Sequence, residues 1–524
     1  MVGMQTGRPD IVLIFEVHQP YRLAQQPLLR RTFGKVETFE ALEEAFFDKE
    51  LTKRIFERVS SRCYKPATSM FLRLLDEHPG FRVSYSISGV LLEQAERWDP
   101  DLLELFKQAA RHKQCEVLCQ TYFHSLAYFI SRIEFIEQVE MHRRRVRDLL
   151  GVEPRVFENT ELIYDNNVAR IARELGFRAV VTEGVERVLG WRSPNYVYMA
   201  KGVDIKVLLR NYRLSDDVGF RFASVKWEEY PLTAEKYATW LAATPGQLIC
   251  IFIDYETVGE HYPRETGIFD FFEWLPVEAE KRGLRFATPS EAIEMHAPVD
   301  EIDVPETISW ADVERDASAW LGNMMQQMSL AREARLEPLV KALGDPAALR
   351  LWRLLSISDH YYYMSTKGGG PGEVHSYFSP YPSPYHAFAA FTEAIACLEA
   401  ELFSRLARQE EVARWVKPLP ESEAFRFFAR EGEPLPYVAR SGLDLIEIVK
   451  RVPAQSLEFH VENGHLAEWL RSVVGDVIAA EKVEGMRGLR GEELRERLYK
   501  ALCERLLESF STAHRGSQCA EGLR

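Results

Sequence analysis

Between residues 11 and 296 short apolar, β-branched runs alternate with longer amphipathic segments, and no other feature of the sequence constrains the fold as strongly. Parallel strands are covered by helices on both faces, so they read as near-continuous apolar runs. IVLIF at 11–15 and LICIFI at 248–253 are runs of that kind. The pattern predicts strands over 11–17, 82–88, 116–121, 155–157, 179–182, 204–209, 248–254 and 284–287. Seven or eight strands are enough to close an α/β barrel. One connecting helix is explicit: Asp165 and Asn166 are cap residues, Val168, Ile171, Ala172 and Leu175 recur at helical spacing, and Gly176 is a stop.

After Pro298 the texture changes to long helical periods over 319–343, 345–363 and 387–408, the second opened by an Asp-Pro pair. These predict a helical bundle. Between the last two lies TKGGGPGEVHSYFSPYPSPYHAF, whose glycines and prolines mark a loop, a candidate lid or rim. From about 410 onward the chain is expected to be helical again, more charged, and frayed at its polar end. The expected division is a barrel over 1–298, a bundle over 299–409 that completes the active site, and a helical C-terminal region over 410–524 with no assigned role. The 524 residues accommodate three units of this size.

Charge narrows the partners. With 79 acidic and 65 basic residues the formal net charge is −14, which disfavours nucleic acid and acidic membrane surfaces and suits neutral or cationic ligands. The N-terminal MVGMQTGRPD runs straight into IVLIF without a basic leader or cleavage site, which predicts a cytoplasmic protein. No run reaches the roughly 18–20 apolar residues that cross a bilayer. Seven scattered cysteines suggest reduced thiols rather than a disulfide framework. Oligomeric state is not legible.

In an α/β barrel the loops after the strands' carboxyl ends converge on one opening, where chemistry is done. Here those ends carry Glu16, His18 and Gln19; Ser86 and Ser88; Gln120 and His124; Glu158 and Glu161; Glu183; Arg210; and Asp254, Glu256, Glu260 and His261. One polar strand end means little, but a ring of them exceeds what solvation requires. Two carboxylates on different strands are the minimum for retaining glycoside hydrolysis, and Glu161 with Asp254 is the obvious pair. A second reading groups His18, His124 and a carboxylate as a metal site, on scattered spacing. Cys115 and Cys119 read as core thiols, and Gly368–Gly370 lacks the residue order of a phosphate loop. The run Tyr361–Tyr363 and Trp352 read, by themselves, as core packing.

HQP at 18–20, NTELIY at 159–164, DYETVGEH at 254–261 and SDHYYYMSTK at 358–367 together resemble glycoside hydrolase family 57 of the α-amylase type, over about residues 10–395. The resemblance implies an incomplete (β/α)7 barrel followed by a helical bundle, a retaining mechanism on α-glucosidic bonds, and no metal or other cofactor. By position it implies Glu161 as nucleophile and Asp254 as general acid/base. It places His18, Gln19, His124, Trp191, Glu256, His261, Asp359, His360 and Tyr361 against an α-glucan or maltooligosaccharide. The sequence departs from the family pattern in Glu158, where a basic residue is expected, in Val258, where an aromatic is expected, and in Tyr262-Pro263, where the family often has a Gln-Trp pair. Lost aromatic surface bears on chain-length preference more than on chemistry. The reading is an α-amylase-like hydrolase, with a 4-α-glucanotransferase or branching enzyme as the near alternative. A metal-dependent polysaccharide deacetylase and a catalytically silent glycan-binding protein are the more distant ones.

Overall fold

In the computed structural model the run Asp10–Val17 forms strand β1, buried at every residue. The structure describes residues 8–27, 38–367, 379–407 and 414–521. Six further strands lie parallel around β1: β2 (Val83–Ile87), β3 (Cys115–Val117), β4 (Val156–Glu158), β5 (Ala179–Glu183), β7 (Lys206–Arg210) and β8 (Leu248–Asp254). Pairing runs β3-β2-β1-β8-β7-β5-β4, and a parallel bridge between Cys119 and Phe157 joins the two ends into a seven-stranded barrel. The ring is uneven. β1 and β8 pair in register from Asp10 opposite Leu248 to Glu16 opposite Asp254, whereas β7 and β8 share only Arg210 opposite Cys250.

Strands β6 (Tyr198–Ala200), β9 (Arg285–Phe286) and β10 (Glu301–Ile302) add to the rim, with β6 antiparallel to β7. All eight expected strands are present, β3 and β9 at about half the expected length; β6 and β10 are too short to leave a periodic trace. The connecting helix spans Asn166–Glu174, with Asp165 Oδ1 accepting from the backbone N–H of Asn167 and Val168. The core beneath β1 is aromatic: Phe15 lies 4.9–5.9 Å from the rings of Phe71, Tyr85, Tyr255 and Phe272.

The helices after the barrel are broken where the sequence reads as continuous. Residues 319–343 divide into Ser318–Leu321 and Met324–Leu343, the second opened by a capping box of Asn323 and Gln326. Residues 345–363 divide into Pro346–Leu355 and Ser358–Tyr362, because Ser356 and Ile357 turn their backbone outward: Ser356 O accepts from Leu126 N–H, and Ile357 bridges Ser125. That interruption carries Ser358 and Asp359 to the barrel mouth. A third helix spans Pro384–Ala407. The candidate lid, including Gly368–Gly370, falls largely at 368–378, outside the described residues.

Beyond residue 413 the chain is mostly helical, but an antiparallel hairpin of β11 (Phe425–Arg430) and β12 (Glu433–Ala439) precedes the helices. One apolar cluster runs from Phe39 through Leu351, Trp352 and Tyr361 to Ile446, Leu498 and Leu506, so the bundle and the C-terminal helices share a core. Buried ions cross the same boundary. Lys450 bonds Glu337, which pairs with Lys341, and Lys341 meets Glu134 of a barrel helix. Among the described residues no helix is long and apolar enough to cross a membrane, and the described cysteine side chains are free thiols.

Candidate active site

The carboxyl ends of the strands open into a cleft of about 2080 Å³, roofed on one side by the bundle. Of the expected site residues, His18, Gln19, His124, Glu161, Asp254, Glu256, His261 and Asp359 line it together. Three do not. His360 and Tyr361 sit on the short helix Ser358–Tyr362, whose cleft face is taken by Asp359 and Tyr362; successive residues turn about 100° away from it. Tyr361 is buried among bundle side chains and donates to Glu333, while His360 packs near Phe47. Trp191 follows the left-handed Gly190 and stands 94% exposed on the outer surface, outside the cleft.

Glu161 sits where β4 has just ended, and its backbone is left-handed (φ 59°). A side chain adopts that conformation only where its surroundings hold it. Among the described residues five non-glycine positions have positive φ, and four of them, His124, Glu161, Asp312 and Arg315, line the cleft. The supports around Glu161 are specific. Asn159 Nδ2 donates to Ile163 O (3.0 Å), and the hydroxyls of Thr160 and Thr121 bond each other (2.6 Å). The Glu161 carboxylate is held at both oxygens: the Trp310 indole N–H donates to Oε2 (2.7 Å) and the Ser358 hydroxyl to Oε1 (3.1 Å).

His124 and His18 stack beside it, centroids 4.1 Å apart. Nε2 of His124 lies 3.4 Å from Glu161 Oε1, and Nδ1 bonds Gln120 Oε1 (2.8 Å). Burial opposes charge on His124, but the hydrogen bond and charge of Glu161 outweigh it and raise its pKa above the ordinary histidine value. His18 goes the other way: burial and the neighbouring His124 push it down to about 4. Neutral His18 therefore donates from Nε2 to Asp359 Oδ2 (3.0 Å) and accepts from the Ser88 hydroxyl at Nδ1 (2.8 Å). Burial raises Asp359, yet the hydrogen bond from His18, with the positive charges of His124 and Arg22 nearby, prevails and leaves its carboxyl well below the usual range. These histidine nitrogens engage different partners, and among the described residues no three His, Cys, Asp or Glu side chains gather as metal ligands.

Across the cleft, Asp254 ends β8. Burial raises its carboxyl and the Glu161 charge adds, placing it at about 7 against the opposing Arg210. Glu256 is lifted to about 8 by burial and then by Asp254, but its carboxylate is tied to the Tyr64 hydroxyl. Asp254 has no such tie among the described residues, so its proton is available to a ligand. Gly259 lets the following turn close: at φ 116° an added Cβ would meet Arg62 O at 2.2 Å.

Two contributors were not singled out from sequence, Trp310 and Ser358. Trp310 belongs to a loop pinned by Arg315, which donates to Trp310 O (3.1 Å) and Glu183 Oε2 (2.8 Å), and Arg210 lies 5.5 Å from its ring centroid. Only an unpaired Trp in a polar stretch marks it. Because it donates to a charged acceptor, Trp310→Phe is expected to lower turnover about 10- to 100-fold while the thermal midpoint moves little. Steady-state kinetics beside a melting curve tests this, and unchanged kcat rules the contact out. Glu158, in place of a basic residue, is buried beneath the cleft and accepts from the Ser86 hydroxyl (2.6 Å). Val258 is buried, and Tyr262 lines the cleft.

Known proteins resemble this chain in sequence and in fold. The model of glycosyl hydrolase family 57 matches residues 12–305. A Methanocaldococcus jannaschii protein named "Putative alpha-amylase" is 43% identical over 412 residues, 76% of this chain and 86% of its own length. A family 57 branching enzyme from Thermococcus kodakaraensis superimposes with TM-score 0.55 at 15% identity, over 78% of this chain and 91% of that one. The 4-alpha-glucanotransferase from Thermococcus litoralis does so with TM-score 0.54 at 17% identity, over 80% of this chain but 61% of that one. At such identities the two structures speak for the fold alone. The family model and the relative at 43% identity speak for descent: the chain belongs to glycosyl hydrolase family 57.

Proposed function

We propose that the protein is a retaining hydrolase of α-glucosidic bonds in α-glucans or maltooligosaccharides, with Glu161 as nucleophile and Asp254 as general acid/base. The observation that carries the reading is the inequality of the two carboxyls: Glu161 is fixed by donors at both oxygens, and Asp254 holds its proton to about pH 7. Asp254 protonates the leaving glycosidic oxygen as Glu161 Oε attacks the anomeric carbon, forming a glycosyl ester. Asp254, now a carboxylate, removes a proton from water, which attacks the same carbon from the opposite face and releases Glu161. Two inversions give net retention. His18, Gln19, Glu256, His261 and Asp359 are assigned to the sugar hydroxyls around the cleaved bond. In this reading the barrel supplies both carboxyls and the bundle contributes Ser358 and Asp359.

A 4-α-glucanotransferase or branching enzyme would use the same two carboxyls with a sugar in place of water, so the site chemistry serves that second reading as well. Incubation with maltoheptaose, followed by chromatography and anomeric NMR, separates the outcomes. Shorter α-anomeric products alone support hydrolysis. Chains longer than seven units indicate transfer, α-1,6 linkages indicate branching, and β-anomers overturn the two-step mechanism.

A further inference from the structure

The loop that follows β7 builds a second hollow on the cleft side of the barrel. After the helix Tyr212–Gly219 the chain passes through 220–233 before the helix Ala234–Ala243 returns it to β8. Arg213, Asp217, Arg221 and Glu229 surround the indoles of Trp227 and Trp240 in an open depression of about 480 Å³. The two rings stand nearly perpendicular, 74° apart with centroids at 6.1 Å. Arg221 lies 5.7 Å from the Trp227 centroid, and its Nε donates to Asp217 Oδ1 (2.8 Å). Both indoles rest on the barrel core, yet each remains partly exposed, and among the described residues neither indole N–H meets an acceptor.

Away from the core the two rings meet each other, Arg221 and Tyr237, and these contacts leave part of each indole open to solvent. A partly exposed aromatic face ringed by paired charges suits a ligand with an apolar C–H face and many hydroxyls, the chemistry of a pyranose. The hollow also adjoins the cleft. Arg221 lines both, and Phe220 beside it lines the cleft while 52% exposed. A helix, a loop and an arginine therefore separate the pair of indoles from the chamber holding Glu161 and Asp254.

We propose that Trp227 and Trp240 form an outlying subsite that holds a glucosyl unit of a long α-glucan whose scissile bond lies between Glu161 and Asp254. The subsite supplies aromatic surface in place of that missing at Val258. This inference rests on the α-glucan reading above. The test compares kcat/KM on soluble amylose with kcat/KM on a chromogenic maltotrioside, for the full chain and for Trp227→Ala and Trp240→Ala. The amylose-to-maltotrioside ratio is expected to fall about tenfold, mostly through KM on amylose. Because each preparation is compared with itself, a partly unfolded sample scales both terms and leaves the ratio alone. Trp240→Phe, which keeps a ring against Tyr237 and removes the N–H, carries the same test if the alanine variants do not fold, with about a two- to threefold fall. An unchanged ratio, with the wild type active on both substrates, overturns the subsite and leaves the catalytic reading standing. A wild type that turns over neither substrate overturns the α-glucan reading and this inference with it.

Discussion

Glu161→Ala is expected to lower kcat on a chromogenic maltooligosaccharide by about 10⁴-fold or more, because it removes the atom that forms the covalent intermediate. Glu161→Gln keeps the shape and the contacts to Trp310 and Ser358 in part, but its amide is a poor nucleophile, so it should fall by a similar factor. The cavity left by alanine makes a stronger test possible. Azide, small and anionic, can take the place of the missing carboxylate and attack the anomeric carbon once. A single displacement inverts, so Glu161→Ala with azide should release a β-glycosyl azide, detectable by NMR. If Glu161→Gln keeps more than about a tenth of wild-type turnover, the nucleophile is elsewhere.

Asp254→Asn carries the second large effect, a loss of about 10²–10⁴-fold in kcat/KM on unactivated maltooligosaccharides. The loss should shrink on substrates whose leaving group departs without a proton, such as an activated aryl glycoside. Wild-type kcat/KM should fall as pH rises through about 7, since Asp254 must be protonated in the free enzyme for the first step. In Asp254→Asn that alkaline limb should vanish. The same pKa has a stability sign. A carboxyl raised above its unfolded value near 3.8 binds a proton more tightly in the folded state, so its contribution to stability is present at low pH and is lost as pH rises toward 7. Asp254→Asn should therefore unfold at higher denaturant than wild type at pH 8, by about 2–4 kcal/mol, with the difference closing toward pH 4. Equal stability at pH 8 would mean that Asp254 is not held protonated.

Strands β1 and β8 were legible because each is a near-continuous apolar run, and the two carboxyls because each lies at or just beyond a strand end inside a recognisable motif. What sequence did not reveal depends on tertiary contacts. Nothing at Ser356-Ile357 announces a helix break: neither glycine nor proline is there, and the interruption exists because Leu126 and Ser125 compete for the backbone. Without the break the facing of 358–363 could not be assigned, and His360 and Tyr361 were placed at the cleft when Ser358, Asp359 and Tyr362 occupy it. The hairpin Phe425–Ala439 did carry a signal, alternate phenylalanines before Gly432, masked by a charged, helix-like context. Trp310 carried only the weak mark of an indole in a polar stretch, since its partner is 149 residues away.

The core shared by bundle and C-terminal helices has a consequence for how the protein is made. Asp359 reaches the cleft on a short helix whose buried face packs in a cluster that continues to Leu506. During synthesis on the ribosome the barrel, with both carboxyls, emerges well before the residues that complete that cluster. A nascent chain stopped near residue 400 would carry Glu161 and Asp254, the proposed reacting groups, without the buttress for Asp359. Catalytic competence is thus set to appear only after residues as far along as Leu506 have emerged.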